Sequence, residues 1–355
     1  MNIHILSLLG VATIAQVSTA MAQTAPKVNI LFCVADDAGH MSAYGVPWIN
    51  TPAFDTVARN GLLFNNMYTC NAKSAPSRAA MITGRNSWQL EEACNHWPNF
   101  PEKFKSYPET LADNGYYVGC TGKGWGPGYA VNSRDENRNL TVWNKRKLTP
   151  PTTGISDYDY AANFNDFLKS WDKSKPFCFW YGALEPHRGY EYESSKRFGK
   201  NINDIDSVPS YWPDNEVVRR DMLDYAVEVE HFDKHLGLIL QSLEEIGELD
   251  NTVIIVTSDH NMPFPRCKGQ EYYNSNHIPM AVMWKNGIRH PGRQVNEYIS
   301  VIDLAPTILK IAGISEMQSG MQAITGRDFV DLLKDENTGI DRNYVMIGKE
   351  RHDVG

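Results

Sequence analysis

The chain has 355 residues, 42% hydrophobic and 21% charged, a balance that sets aside the disordered, collagenous and membrane-embedded classes. Its formal net charge is -8 and its pI about 5.7, so no global basic field exists to hold a nucleic acid. An anionic ligand would need cations gathered inside a pocket instead.

Residues 1–23 carry the apolar positions Ile5, Leu8, Leu9, Val11, Ala12, Ile14 and Ala15, then Ala20-Met21-Ala22. This is the pattern of a secretory leader with a small-residue cleavage site, predicting a cut after Ala22 and an exported protein, periplasmic or secreted. Residues 23–355 then form one α/β domain. No later run reaches the roughly 18 apolar residues of a membrane span. Export permits disulfides, yet Cys33, Cys120 and Cys178 fall inside apolar strand-like runs and read as buried thiols.

Residues 27–35 are a continuous apolar run of the kind buried in parallel sheets, ending at Asp36-Asp37. Thr51-Pro52 opens a helix through Phe54, Val57 and Ala58. A second strand, Leu62 to Tyr68, leads to Ser74-Ala75-Pro76-Ser77-Arg78, with a Thr83-Gly84-Arg85 string shortly downstream. Ser74 thus stands where a strand stops and a helix begins, among free N–H groups that favour an anion. A serine there can equally be a plain N-cap. Arg78, one turn on, can aim a fixed cation at the same spot.

A helix from Pro108 to about Gly115 and a strand through Cys120 follow, closed by Thr121-Gly122-Lys123; residues 124–157 read as a long excursion. Tyr158 to Trp171 has helical spacing, and Phe177 to Tyr181 is another buried strand running into Glu185-Pro186-His187-Arg188. After a polar loop over 190–213, apolar positions from Val218 to Ile246 alternate steps of four and three, the strongest helix signal in the chain. Its His231 and His235 read as surface or boundary residues. Strands at 251–257 and 278–284 and a helix at 301–311 complete the pattern, with Asp259-His260 at the end of the first. Alternating strands and helices predict a mostly parallel sheet flanked by helices. The last residues carry no terminating pattern, which predicts a smaller C-terminal subdomain left incomplete.

Carboxylates gathered from separate strand ends suit a hard cation, Ca²⁺ or Mg²⁺, better than zinc. Arg78, Lys123, His187 and Lys268 stand at or after strand ends as well. Together with a metal they would make a pocket for a tetrahedral dianion.

The Ser-x-Pro-Ser-Arg string with its downstream Thr-Gly-Arg resembles the signature of type I sulfatases, of the alkaline-phosphatase-like superfamily. The resemblance covers about residues 28–313 and implies a mixed, mostly parallel sheet. It implies that Ser74 is oxidised to formylglycine by a radical-type anaerobic sulfatase-maturing enzyme. Asp36, Asp37, Asp259 and His260 match the family's calcium ligands, with Ser74 beside the metal, Ca²⁺ being preferred to Mg²⁺. Arg78, Lys123, His187 and Lys268 match its catalytic cations and proton donors. The implied chemistry is hydrolysis through a covalent intermediate, in which a hydrated aldehyde attacks sulfur and His187 or Lys268 protonates the leaving group.

One position departs: the family often has a His two residues after the motif lysine, where this chain has Trp125. The nearest likeness is to heparan N-sulfatase (sulfamidase)-like bacterial glycan sulfatases, carried by Glu185-Pro186-His187-Arg188 and the stretch from Asp259 to Pro265. The implied partner is a sulfated carbohydrate, N- or O-sulfated. Glu91, His96, Arg351 and His352 are nominated to contact it. A serine-nucleophile phosphohydrolase and a non-catalytic sulfated-glycan binder are the competing readings.

Overall fold

The computed structural model describes residues 28–349; the leader pattern, Arg351 and His352 lie outside them. The strands are β1 (Asn29–Ala35), β2 (Leu62–Tyr68), β3 (Tyr117–Gly122), β4 (Thr141–Val142), β5 (Phe177–Gly182), β6 (Thr252–Ser258), β7 (His277–Met283), β8 (Arg293–Val295) and β9 (Ile299–Ser300). They form one sheet in the order β4-β3-β5-β1-β6-β7-β2-β8, with β9 beside β2. β1 lies centrally, parallel to β5 and β6, and each of its residues is buried.

Alternate residues of β1 feed two cores, as a period of two requires. Ile30, Phe32 and Val34 pack on one face, with α2 (Ser74–Thr83), α3 (Tyr107–Asp113) and the helix Leu304–Ile311. Leu31, Cys33 and Ala35 pack on the other, with α1 (Pro52–Arg59), α4 (Tyr160–Ser170) and the long α5 (Glu216–Glu245). Cys33, Cys120 and Cys178 are buried thiols, as the apolar runs around them imply.

The sheet is mixed because β7 runs antiparallel to both β6 and β2. A parallel strand needs a crossover over the sheet face. The loop 259–276 crosses no face; it carries Asp259, His260 and Lys268 and returns directly into β7. The excursion 124–157 is irregular apart from the two-residue edge strand β4.

His231 and His235 correct the surface reading: they are 6% and 2% exposed, with ring centroids 4.7 Å apart. α5 packs against both α1 and α4, so positions that look polar in sequence are enclosed. His235 Nδ1 accepts the Ala161 N–H at 3.4 Å, and burial pushes its imidazole down to about 3. It is a neutral core histidine.

Two glycines let the ends of β3 and β5 approach. A Cβ on Gly122 (φ +74°) would strike the Gly182 carbonyl, and one on Gly182 the Lys123 carbonyl. Gly182→Ala is expected to cost about 1–3 kcal/mol by overpacking. Urea denaturation checks this, a midpoint unchanged from wild type being the contrary result.

Candidate active site

α2 starts directly after the Lys73 N-cap, so Ser74 is its first residue rather than its cap. Its Oγ makes no capping bond. It donates instead to Asp36 Oδ1 at 3.0 Å and lies 3.5 Å from His260 Nε2. Asp36 leaves the end of β1 with its own N–H on the Glu185 carbonyl. Its other oxygen accepts Lys123 Nζ at 2.6 Å.

Arg78 lies one turn along α2 and is fully buried. Its Nε donates to Asp259 Oδ2 at 2.9 Å and its Nη2 reaches Asp36 Oδ1 at 3.4 Å. Nη1 donates to the Lys123 and Gly124 carbonyls at 2.9 and 3.0 Å. The planar fork therefore ties the ends of β1, β3 and β6 together. Burial alone would lower its pKa, but Asp259 and Asp36 outweigh that and raise it.

Asp37 takes a left-handed backbone (φ 74°), which turns its side chain toward Lys268 Nζ at 2.7 Å and His260 Nε2 at 2.8 Å. Burial pushes its carboxyl up, yet His260 and Lys268 prevail and hold it at about 2. Asp259 follows the same logic: burial raises it, and His260 with Arg78 brings it well below the usual carboxylate range. Lys268 is kept charged by Asp37 and Asp36 against the pull of its own burial.

The Asp37, Asp259 and His260 donor atoms lie within 4.8 Å of one another. His260 Nδ1 is 2.9 Å from the Asn261 carbonyl, a bond that requires the proton on Nδ1. Nε2 faces the buried Asp37 Oδ1 at 2.8 Å. That contact needs a positive charge, which an imidazolium N–H supplies and for which a metal ion on the same donor atoms can substitute. The carboxylate oxygens, the imidazole and the adjacent Ser74 hydroxyl fit a hard divalent cation there. Asp36, Asp37 and Asp259 are otherwise balanced by Arg78, Lys123 and Lys268, so such an ion would leave the pocket net positive for an anion.

Of the residues expected from sequence, Asp36, Asp37, Ser74, Arg78, Lys123, Asp259, His260 and Lys268 converge in this network. His187 does not join it by any bond: it is exposed on the loop after β5, its Nδ1 3.1 Å from the Arg188 carbonyl. Glu91 is exposed and ion-paired with Lys103, and His96 is half-buried, edge-on to Trp97. Trp125 is buried against Phe100, with Nε1 donating to the Ala75 carbonyl at 3.0 Å. It supports α2 and carries no titratable group. Sequence reasoning passed over Ser77, whose Oγ donates to the Asp259 carbonyl at 2.6 Å, and Trp180, whose Nε1 holds the Lys123 carbonyl at 2.9 Å. Ser77 was inside the signature string; Trp180 gave no signal beyond a buried strand.

This sheet, with its ligand groups at the strand ends, is the alkaline-phosphatase-like fold. The phosphonate monoester hydrolase of Agrobacterium radiobacter superposes with a TM-score of 0.71 at 18% identity, over 89% of this chain and 79% of that one. The sequence profile of the sulfatase family matches residues 28–314, and the chain belongs to that family. It is 30% identical to human N-sulphoglucosamine sulphohydrolase over 79% of its own length, and spans 60% of that relative. It is 24% identical to N-acetylglucosamine-6-O-sulfatase of Bacteroides thetaiotaomicron, over 88% of this chain and 73% of that one. Among the described residues no helix is long and apolar enough to cross a membrane.

Proposed function

We propose that the protein is an exported sulfatase that removes sulfate from a sulfated glycan, with N-sulfated glucosamine as its preferred group. The observation that carries this is Ser74: a buried hydroxyl at a helix start, 3.0 Å from a carboxylate that Lys123 and Arg78 also hold. The human relative's name, a sulphohydrolase of N-sulphoglucosamine, and the shared sulfatase profile support the substrate class. In the sulfamate reaction the N–S bond breaks; water supplies oxygen to sulfur and its protons pass to the amine and to solvent.

A formylglycine made from Ser74 by a maturing enzyme would supply, as its hydrate, one hydroxyl to attack sulfur and a second to expel sulfate. A Ca²⁺ ion held by Asp37, Asp259 and His260 would polarise a sulfate oxygen, its flexible coordination suiting this irregular donor set better than Mg²⁺. Asp36 receives the hydroxyl proton at Oδ1. Lys123 and Lys268 draw the sulfate oxygens into the pocket, and Arg78 keeps three strand ends rigid while they do so. His187, on its exposed loop, can exchange a proton with solvent and give it to the leaving amine or alcohol.

Peptide mass spectrometry of the natively matured protein tests the reading, paired with sulfate release from N-sulfated glucosamine and from 6-O-sulfated N-acetylglucosamine. Loss of two hydrogens at residue 74 and faster release from the N-sulfated sugar are expected. An unmodified Ser74 in active protein would overturn it in favour of a serine phosphohydrolase. Calcium at 100 times its Kd is expected to add about 2.7 kcal/mol of stability over the chelated protein. A thermal melt in EGTA and in calcium measures this, and coincident curves would remove the metal.

A further inference from the structure

Outside the active site, α5 buries a second carboxyl cluster beneath the loop that carries His187. Asp224 is satisfied: its oxygens accept the Glu193 and Ser195 N–H groups at 2.8 and 2.9 Å. Glu185 accepts the Ser156 N–H and the Tyr160 hydroxyl, both at 2.7 Å. Glu228 differs. It is 2% exposed, and neither of its oxygens has a hydrogen-bond donor.

A carboxylate buried without donor or cation is strongly disfavoured and takes a proton instead. The groups facing Glu228 do nothing to prevent that. Glu185 and Asp224 are like charges, and Tyr190 on the loop is a weak acid pushed further up by burial. His231, three residues along α5, is held neutral by burial, with Nε2 lacking a partner. Arg220, about two turns back along α5, bonds Ser195 Oγ and the Lys200 carbonyl through Nη1 and makes no bond to Glu228.

Gly154 marks an acceptor beside the unpartnered carboxyl. A Cβ built there would lie 2.4 Å from Glu228 Oε1 and 2.6 Å from the Gly189 carbonyl oxygen, so both acceptors border the space that Gly154 leaves open. A proton on the carboxyl gives Glu228 a donor to offer across that space, with the carbonyl as acceptor.

We propose that Glu228 is a positioning residue kept as a neutral acid, its O–H donated toward the Gly189 carbonyl so that α5 fixes the loop 185–190. The consequence for His187 rests on the sulfatase reading; the proton and the loop contact do not. Burial, then Glu185 and Asp224, drive the carboxyl from its ordinary 4.5 up to about 9. The folded chain therefore binds one more proton than the unfolded chain between those values. The stability this proton confers is complete below about pH 4.5 and is lost as pH climbs to about 9.

The experiment uses the full chain labelled with ¹³C at the glutamate carboxyls, titrated by NMR beside Glu228→Gln, which identifies the signal by its absence. A midpoint above pH 7 is expected; if no glutamate carboxyl of the wild-type protein titrates above pH 7, the proposal is overturned, whether or not the variant folds. Relative to Glu228→Gln, the wild-type folding constant should fall tenfold per pH unit across the window; parallel curves contradict this. Hydrogen exchange of the 185–190 amides separates positioning from mere burial. Glu228→Ala should accelerate it about tenfold and Glu228→Gln should leave it protected, while equal exchange in both variants ends the positioning role. In sulfate release, alanine should lower kcat at unchanged KM and glutamine restore it. Failure of all turnover would indict the sulfatase reading and leave the NMR and exchange results standing.

Discussion

Replacing Ser74 by alanine is expected to lower turnover of a sulfated substrate by about four orders of magnitude or more, with folding nearly intact. The two effects separate because the hydroxyl has no helix to hold. Lys73 is the N-cap of α2, and Ser74 Oγ makes its hydrogen bond to Asp36. Alanine is a good helix residue, and Asp36 keeps Lys123 and Arg78 when the serine is gone. The stability loss should stay at about 1 kcal/mol. Chemistry has no such substitute: without an oxygen at residue 74 nothing stands between Asp36 and the His260 face of the pocket to become the attacking group. Ser77→Ala is the matching control. Its hydroxyl links Thr69 to the Asp259 carbonyl, so it should cost stability more than rate. Steady-state kinetics with urea denaturation on the matured protein checks both; a Ser74→Ala enzyme within tenfold of wild type removes that residue from the reaction.

The parts of this site that could be read from the chain are those where chemistry interrupts a pattern. Asp36-Asp37 and Asp259-His260 each end an apolar run, and central parallel strands expose only their ends. Arg78 could be placed because a helix repeats every three to four residues, which sets it one turn from Ser74. What stayed hidden depends on contacts between distant segments. The reversal of β7 follows from a loop that stays at the strand ends, and no periodicity reports a loop's path. His231 and His235 looked exposed because polar letters on an amphipathic helix usually are; α1 and α4 cover that flank here. Glu228 lies on the same helix, and its missing partners become visible only when Gly154 and Gly189 are folded against it. Glu91 is a candidate by residue type alone, and the structure gives it a surface ion pair with Lys103.

Arg78→Met should be the most destabilising single change in the site, at about 3–5 kcal/mol. The guanidinium is fully buried between Asp36 and Asp259, which are 2% and 0% exposed. Methionine fills much of the volume, so little of the loss comes from a cavity. The cost is electrostatic: two buried carboxylates lose a shared cation, and the Lys123 and Gly124 carbonyls lose the donor that joined them to α2. Lys123 remains on Asp36, but among the described residues no other lysine or arginine is bonded to Asp259. Lysine at 78 restores the charge without the fork, since an ammonium cannot serve two carboxylates and two carbonyls in one plane. Arg78→Lys should therefore recover part of the stability and little of the rate. Guanidinium denaturation of the three proteins at one pH, in EGTA, measures the protein's own contribution apart from any metal. A methionine variant within about 0.5 kcal/mol of wild type, the range of an ordinary surface substitution, would show that Asp36 and Asp259 do not rely on Arg78. The strand ends would then be held by the backbone alone.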